Sequence, residues 1–294
     1  MLNGIVPALL TPFSQAGKGL DEDAFVALVE FVINAGVHGL YAAGTSGEAP
    51  LMSLSERKAL ACLAVKAAKG RVKVAIQTGC VSTRDTLELT VHASEIGADA
   101  AGIVTPYYYP FDEESLQNHY SKVAAAAGGF PLYLYNIPSR TGNDISPSLV
   151  KRLADEHGNI VGIKDSSKDL ERFMQYVTEL SPRISVIMGT DSFILPAFLL
   201  GGSAAITAVG NVFPEVVVKL YQCCQAGSWE EAVKQQYRVN KIKEILKGPL
   251  WLATYKAALT LRGIPFGRAR LPHGEVSKEE MSRLESRLRQ EGLI

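Results

Sequence analysis

Eight short apolar runs, separated by segments with helical spacing, constrain the fold of this chain more than any other feature. Each run is bounded by Gly, Pro, Ser, Thr or Asp, which is typical of a buried strand. The predicted strands are Gly4–Ala8, Gly39–Ala43, Val72–Thr78, Ala100–Val104, Leu132–Tyr135, Ile160–Ile163, Ser185–Met188 and Ala204–Ala208. The predicted helices between them include Asp21–Ala35, Leu54–Ala68, Thr83–Ile96 and Glu113–Ala127.

Strands that are apolar throughout, rather than alternating, indicate burial on both faces, as in a parallel sheet covered by helices. Eight strand and helix units in 294 residues favour closure into a (β/α)₈ barrel of the TIM type, an α/β fold. An open, doubly wound sheet is the alternative, although no Gly-x-Gly-x-x-Gly follows the first predicted strand.

The chain has no linker that would divide it into independent domains. Residues 1–211 are predicted to form the barrel, and residues 212–294 to add helices that complete it and pack on it as one structural unit. These helices are predicted at Pro214–Gln225, Trp229–Leu246, Pro249–Leu261 and Lys278–Gln290.

Composition excludes several kinds of partner. Thirty basic residues balance thirty acidic ones, without a basic run that would attract nucleic acid or a membrane surface. No leader or membrane-spanning segment is recognisable, so we expect a cytoplasmic protein. The four cysteines lack metal-type spacing and are predicted to be reduced core residues: Cys62, Cys80, Cys223 and Cys224. The five histidines are scattered, which argues against a His-ligated metal site.

In this fold, catalytic side chains lie at the carboxyl ends of the strands and in the loops that follow. Here those positions carry hydroxyl groups, phenols, an arginine and a lysine. The segments concerned are Gly44–Glu48, Thr105–Pro110, Tyr135–Gly142 and Lys164–Ser166.

Lys164 is the most informative of these residues, because it directly follows a predicted strand whose residues should all be buried. Burial disfavours the ammonium form and leaves a neutral amine that can attack a carbonyl carbon. The alternatives are a lysine that extends outward to solvent and one that pairs with Asp165.

The other candidates are less specific by themselves. The Thr45-Ser46 loop could bind a carboxylate through hydroxyl and backbone N–H groups, or could be a simple tight turn. Tyr135 could transfer protons or serve packing, and Arg140 could bind a carboxylate or lie on the surface. A hydrolase using Glu48 with Asp191 would leave Lys164 and the loop unexplained.

Together these motifs resemble the dihydrodipicolinate synthase and N-acetylneuraminate lyase family of pyruvate-dependent class I aldolases. The resemblance covers almost the whole chain, because the motifs occur in the family's order at matching strand ends. It extends from Pro7 and Thr11-Pro12-Phe13, through the four segments above, to Gly162–Asp165, Gly189 and Ile206.

The resemblance implies a role for each matching position. Lys164 would form the imine with pyruvate, and Tyr135 would be the general acid and base. The Thr45 and Ser46 loop would hold the pyruvate carboxylate, and Thr45 would link Tyr135 to Tyr108. The backbone of Gly189 and Ile206 would line the pyruvate pocket.

The resemblance also implies partners and assembly. Tyr108 would reach into a neighbouring subunit's site, so we expect a homodimer or a dimer of dimers. The substrates would be pyruvate and a small aldehyde, and no metal or organic cofactor would be needed because the lysine supplies the electron sink.

The aldehyde is the less defined substrate. The Tyr-Asn-Ile-Pro-Ser-Arg-Thr-Gly segment is similar to the synthase branch, in which the arginine matching Arg140 binds the carboxylate of aspartate semialdehyde. Sialic acid is disfavoured, because the sugar contacts of the lyases do not match Ser192 and Ala208. In the synthase branch Asn usually stands at Tyr109, and an Asn-Pro…Val-Lys pattern stands where this chain has Gly248–Trp251 and Tyr255-Lys256.

These departures look closer to aldolases of 2-keto-3-deoxy sugar acids, which are the second hypothesis. A catalytically silent barrel that binds a metabolite is the third. The lysine-binding pocket of feedback-regulated synthases is also expected to be absent, because Leu54, Arg57 and Val81 occupy its polar positions.

Overall fold

The computed structural model describes residues 1–14 and 19–294 and contains eight parallel strands. Each strand pairs with its sequence neighbour from β2 to β8, and β8 pairs with β1. The strands are β1 Gly4–Pro7, β2 Gly39–Ala42, β3 Lys73–Gln77, β4 Ala100–Val104, β5 Leu132–Asn136, β6 Ile160–Asp165, β7 Ser185–Met188 and β8 Ala204–Thr207.

The sheet closes on itself between its first two strands. A parallel bridge joins Ala8 to Tyr41, and the backbone N–H of Leu9 donates to the Tyr41 carbonyl at 2.9 Å. The predicted (β/α)₈ barrel is therefore confirmed, and the alternative of an open sheet is wrong.

Helices alternate with the strands, as the sequence predicts, and more helices follow β8. They are α1 Glu22–Asn34, α2 Leu54–Ala68, α3 Thr83–Glu95, α4 Glu113–Ala126, α5 Pro138–Thr141, α6 Pro147–Glu156, α7 Leu170–Leu180, α8 Ile194–Leu199, α9 Pro214–Gln225, α10 Trp229–Leu246, α11 Trp251–Leu261 and α12 Lys278–Gln290. Within residues 1–14 and 19–294, no helix is both long enough and apolar enough to cross a bilayer.

Local sequence explains where several helices begin. Ser53 accepts the backbone N–H of Glu56, and the Glu56 side chain accepts the N–H of Ser53, which together form a capping box at the start of α2. Ser277 and Glu280 repeat this arrangement at α12. Asp21 caps α1 by accepting the N–H of Ala24.

Two tyrosines fill the interior of the barrel because glycines stand opposite them. A Cβ atom at Gly102 would lie 2.3 Å from the Tyr41 hydroxyl, and one at Gly162 would lie 2.5 Å from the Tyr133 ring. Both tyrosines pack with the small apolar residues of the interior, such as Ala75. This layer of side chains fills the barrel interior beneath the carboxyl ends of the strands.

After β8, helix α9 packs against β1, α10 packs against α9, and α11 and α12 pack on each other. Helix α11 begins at Trp251 instead of Pro249, because a turn closes between Gly248 and Trp251 before the helix starts.

Two further sequence expectations are corrected. All four cysteine thiols are free, but Cys62 is exposed on α2 and only the other three are buried. Strand β6 continues to Asp165, so Lys164 lies inside the strand and does not follow it. The polar pair Lys164-Asp165 hides this continuation from a reading based on apolar runs.

Candidate active site

A cavity of about 510 Å³ opens at the carboxyl ends of the strands. Seven of the eight site residues predicted from the sequence line it: Thr45, Ser46, Tyr135, Arg140, Lys164, Gly189 and Ile206. The loops that follow non-adjacent strands therefore converge on one space, as the barrel requires. Tyr108 is the exception and lies outside this cavity.

Lys164 points into the base of the cavity and is only 4% exposed. Its Nζ atom lies 3.8 Å from the centre of the Tyr135 ring and 4.4 Å from that of Tyr41. Burial lowers the pKa of Lys164, while Tyr135 and Asp191 oppose the shift. The amine is therefore easier to deprotonate than a surface lysine.

Neither ordinary explanation of Lys164 holds in this structure. The side chain does not extend to solvent, since it is buried. Asp165 does not pair with it, because the Asp165 carboxylate accepts hydrogen bonds from Asn136 Nδ2 and Ser167 Oγ. Successive residues of a strand point to opposite faces, which separates the two side chains.

Tyr135 is placed beside Lys164 by strand pairing. The two residues are register partners in β5 and β6, so their side chains share the inner face of the sheet. The hydroxyl groups of Tyr135 and Thr45 are 3.2 Å apart, which is within hydrogen-bond distance. The Tyr135 phenol thus lies next to both the Thr45 hydroxyl and the Lys164 amine.

The loop that carries Thr45 and Ser46 is anchored by a buried ion pair between Glu48 and Lys256. Glu48 has a positive φ of 59° and is 2% exposed, and its Oε1 atom lies 2.6 Å from Nζ of Lys256 on α11. The N–H of Glu48 also donates to the carbonyl of Thr45 at 3.2 Å. This geometry excludes Glu48 from the paired-carboxylate hydrolase considered above, because its carboxylate is already bound.

The wall opposite the loop requires glycine at position 189. A Cβ atom there would lie 1.9 Å from Ser166 Oγ and 3.1 Å from Lys164 Cε. The Gly189 N–H donates to the Asp165 carbonyl at 2.7 Å, which fixes the backbone that lines the cavity. Ile206 lies on β8 and closes the same region.

Among the residues that the structure describes, Asp191 is the only acidic one that lines the cavity. It is 7% exposed, and its carboxylate accepts hydrogen bonds from Thr207 Oγ1 and the Val209 N–H. Burial raises its pKa, while Thr207 opposes the shift. Across the described part of the chain, no three His, Cys, Asp or Glu residues are grouped as metal ligands would be.

The two outer candidates occupy different places. Arg140 lies on α5, is exposed, and borders the outer part of the cavity. Tyr108 is 83% exposed and has a φ of 83°, with its ring edge-on to Tyr109 at 4.9 Å between centroids. A hydrogen bond from Thr45 to Tyr108 is therefore not made within one chain.

Several lining residues were not predicted from the sequence as site residues: Lys168, Lys243, Lys247, Gly248, Trp251 and Tyr255. All but Lys168 lie on or between α10 and α11. Lys243 lies in the last turn of α10 and Lys247 directly follows it, and their sequence does not reveal that the end of this helix meets the barrel mouth.

A closed barrel with a buried lysine beside a tyrosine at its mouth defines a class of enzymes with an amine in the active site. Comparison with known proteins identifies the class more closely. A family model described as the dihydrodipicolinate synthetase family matches residues 1–291.

Individual relatives agree with this match over the full chain. An uncharacterized DapA-like lyase of Halobacterium salinarum is 39% identical, covering the whole chain and 95% of the relative. A 4-hydroxy-tetrahydrodipicolinate synthase of Methanocaldococcus jannaschii is 35% identical over the whole of both chains. The crystal structure of YagE, a prophage protein of the dihydrodipicolinic acid synthase family from E. coli K12 in complex with pyruvate, superposes with a TM-score of 0.95. It is 33% identical, and both chains are fully covered.

The chain therefore belongs to the dihydrodipicolinate synthetase family, as its motifs predict. It is a pyruvate-dependent aldolase or lyase of that family.

Proposed function

We propose that the ε-amino group of Lys164 forms an imine with pyruvate and that the protein joins this pyruvate unit to an aldehyde. The observation that carries the proposal is the buried amine of Lys164, which lies next to the Tyr135 ring and has no carboxylate paired with it in β6. The fully overlapping YagE structure, described as a complex with pyruvate, supports the same substrate.

The chemistry follows from the order of groups in the cavity. The neutral amine attacks the ketone carbon, the ketone oxygen leaves as water, and a protonated imine remains. Tyr135 moves the protons: its phenol protonates the departing water, and the resulting phenolate takes a proton from the imine methyl group to give an enamine. The enamine carbon attacks the aldehyde carbon, the new alkoxide is protonated, and water hydrolyses the imine to release Lys164.

The Thr45-Ser46 loop suits the pyruvate carboxylate. Thr45 Oγ1 is shared with Tyr135, and Ser46 lies buried beside it at the base of the cavity. Gly189 and Ile206 line the same cavity, where a side chain at position 189 would clash with Ser166 and crowd Lys164. Binding here would place the ketone carbon against the Lys164 amine.

We further propose that the aldehyde bears a carboxylate that Arg140 binds. Guanidinium is planar and presents paired donors that match a carboxylate. Aspartate semialdehyde is the first candidate, which would make the protein a 4-hydroxy-tetrahydrodipicolinate synthase, as several relatives are named. In the second candidate reaction, a 2-keto-3-deoxy sugar acid is cleaved to pyruvate and a hydroxyaldehyde; Trp251 and Tyr255 in the cavity wall favour it.

Tyr108 is proposed to complete the site of a second subunit. A left-handed backbone at a residue other than glycine costs energy and is typical of functional sites. The Tyr108 hydroxyl does not reach Thr45 in the same chain. Equal mixing of Tyr108→Phe and Lys164→Arg chains by refolding should restore part of the activity that each lacks, since one mixed site has both residues. No restoration would contradict sharing of the site.

Borohydride trapping tests the imine directly. Protein incubated with pyruvate and sodium borohydride should gain one reduced adduct, which peptide mass spectrometry should locate on Lys164. Lys256 is a matched control, because it is also a buried lysine whose pKa burial lowers, but it is paired with Glu48 and does not line the cavity. An unmodified Lys164 in folded protein would refute the proposal.

Two variants separate the remaining roles. Tyr135→Phe should still bind pyruvate but lose about 10²–10⁴-fold in turnover, because proton transfer lacks its phenol. Arg140→Ala should lower kcat/KM for aspartate semialdehyde much more than for glyceraldehyde. Equal losses with both aldehydes would show that Arg140 does not bind a substrate carboxylate.

A further inference from the structure

Three lysines gather at the outer part of the cavity, although they come from distant parts of the chain. Lys168 follows β6, Lys243 lies in the last turn of α10, and Lys247 directly follows that helix. The proposed reaction uses none of them.

Lys243 is held in a fixed place. Its Nζ atom donates to Ser192 Oγ at 2.9 Å, and its side chain is partly buried. Burial lowers the pKa of Lys243; Asp191 opposes this, while Lys168 and Lys247 lower it further. Lys168 and Lys247 are thus each close enough to Lys243 to repel its ammonium group.

The surrounding carboxylates do not neutralise this charge. Besides Lys164, four cationic side chains line the cavity, namely Arg140 and the three lysines, against one carboxylate, Asp191, which Thr207 and Val209 already bind. In the described part of the chain, ion pairs between lysines and carboxylates involve other lysines: Lys58, Lys69, Lys73, Lys151, Lys234, Lys241 and Lys256.

Lys168 and Lys247 are exposed, so water screens part of the repulsion, but a concentration of positive charge around a cavity still favours the binding of an anion. A carboxylate is the better match for the planar fork of Arg140, whereas ammonium groups act as point charges that suit a phosphate with two negative charges.

We propose that Lys168, Lys243 and Lys247 bind the phosphate of a phosphorylated hydroxyaldehyde, as the outer end of the acceptor. The inference rests on the proposed imine at Lys164 and belongs to the second candidate reaction, in which the acceptor is a hydroxyaldehyde instead of aspartate semialdehyde. The enamine carbon forms a bond to the aldehyde carbon, the resulting alkoxide takes a proton, and water releases the product from Lys164. The phosphate ester is unchanged, and the reverse reaction cleaves the same bond.

Kinetics with paired acceptors test this assignment. In the condensation with pyruvate, wild-type protein should have a kcat/KM for glyceraldehyde 3-phosphate at least about tenfold above that for glyceraldehyde. Lys243→Met should reduce this ratio about tenfold or more, mainly through the phosphorylated substrate. Lys234→Met is the matched control on the same helix, because Lys234 is exposed and pairs with Glu231.

A binding experiment keeps the inference separate from the chemistry. Titration calorimetry with glycerol 3-phosphate should detect binding to wild type and Lys234→Met, and a loss of at least about tenfold in affinity for Lys243→Met. Borohydride trapping on the same samples reports whether the imine forms. Failure of trapping with intact, Lys243-dependent binding would refute the proposed function alone. Trapping without a phosphate preference, and with equal binding by all variants, would overturn the lysine subsite.

Discussion

Lys256→Met should destabilise the protein far more than loss of an ordinary surface lysine. Nζ of Lys256 contacts Glu48 Oε1 at 2.6 Å, the Thr11 carbonyl at 2.7 Å and the Arg268 carbonyl at 2.9 Å, and the side chain is 2% exposed. Methionine fills similar space but leaves the Glu48 carboxylate charged and buried.

The expected loss follows from what remains around Glu48. Its Oε2 atom accepts the Arg270 N–H at 2.8 Å, but Oε1 has no hydrogen bond of good geometry and depends on the Lys256 charge. Removing one partner of a buried ion pair costs about 3–5 kcal/mol. We expect a decrease of this size in the free energy of unfolding.

Urea unfolding followed by circular dichroism measures the change, with the slope m compared between variants. Lys151→Met is the control, because its pair with Asp155 is exposed and should contribute about 0.5 kcal/mol or less. Glu48→Gln combined with Lys256→Met should be about 1–3 kcal/mol less destabilised than Lys256→Met alone, since no unpaired charge remains buried. If Lys256→Met is no less stable than Lys151→Met, Glu48 is not held by this charge and the reasoning is wrong.

Three other predictions follow from single residues. Burial lowers the pKa of His119 from 6.5 to about 4, so the unfolded chain takes up this proton first as the pH falls. Between pH 6.5 and 4, wild type should lose up to about 3 kcal/mol of stability relative to His119→Gln, measured by urea unfolding at each pH, and parallel curves would contradict it. Gly189→Ala should abolish borohydride trapping because its methyl group meets Ser166, whereas Gly158→Ala, with open space around it, should not. Free lysine should not bind tightly, because the buried Arg57 guanidinium is already bound to backbone carbonyls; tight binding by calorimetry would refute this.

The barrel could be predicted because its strands are buried on both faces. Burial on both faces removes polar residues from a strand, so each strand is recorded in the sequence as a short apolar run, and the order of runs gives the topology. Ala100–Val104 and Ser185–Met188 were predicted with the bounds that the structure has. The prediction erred where a strand contains polar residues, as at Lys164 in β6.

The exposure of Cys62 shows a second limit of prediction from the sequence, which concerns the buried face of a helix. Helix α2 contains several small residues, so its apolar character is weak around much of its surface and does not define the buried side. Leu60 and Ala61 are buried, but Cys62 is turned outward by the next step of the helix. A composition argument cannot separate such neighbours, because only the rotation of the helix decides which one meets the core.

Some residues of the candidate site could be predicted from the sequence and others could not. Residues at strand ends could be predicted, because each strand of a barrel has only one end at the mouth. This rule identified Thr45, Tyr135 and Lys164 as candidates. Lys243 and Lys247 could not, because their position depends on how α10 packs against α9 and meets the barrel, which no local pattern encodes. In the proposed reaction, residues of the strands would thus form the imine, while lysines at the end of α10 would help to bind the acceptor. Substitutions in α10 could then change the acceptor without disturbing Lys164, since the two groups are held by different elements.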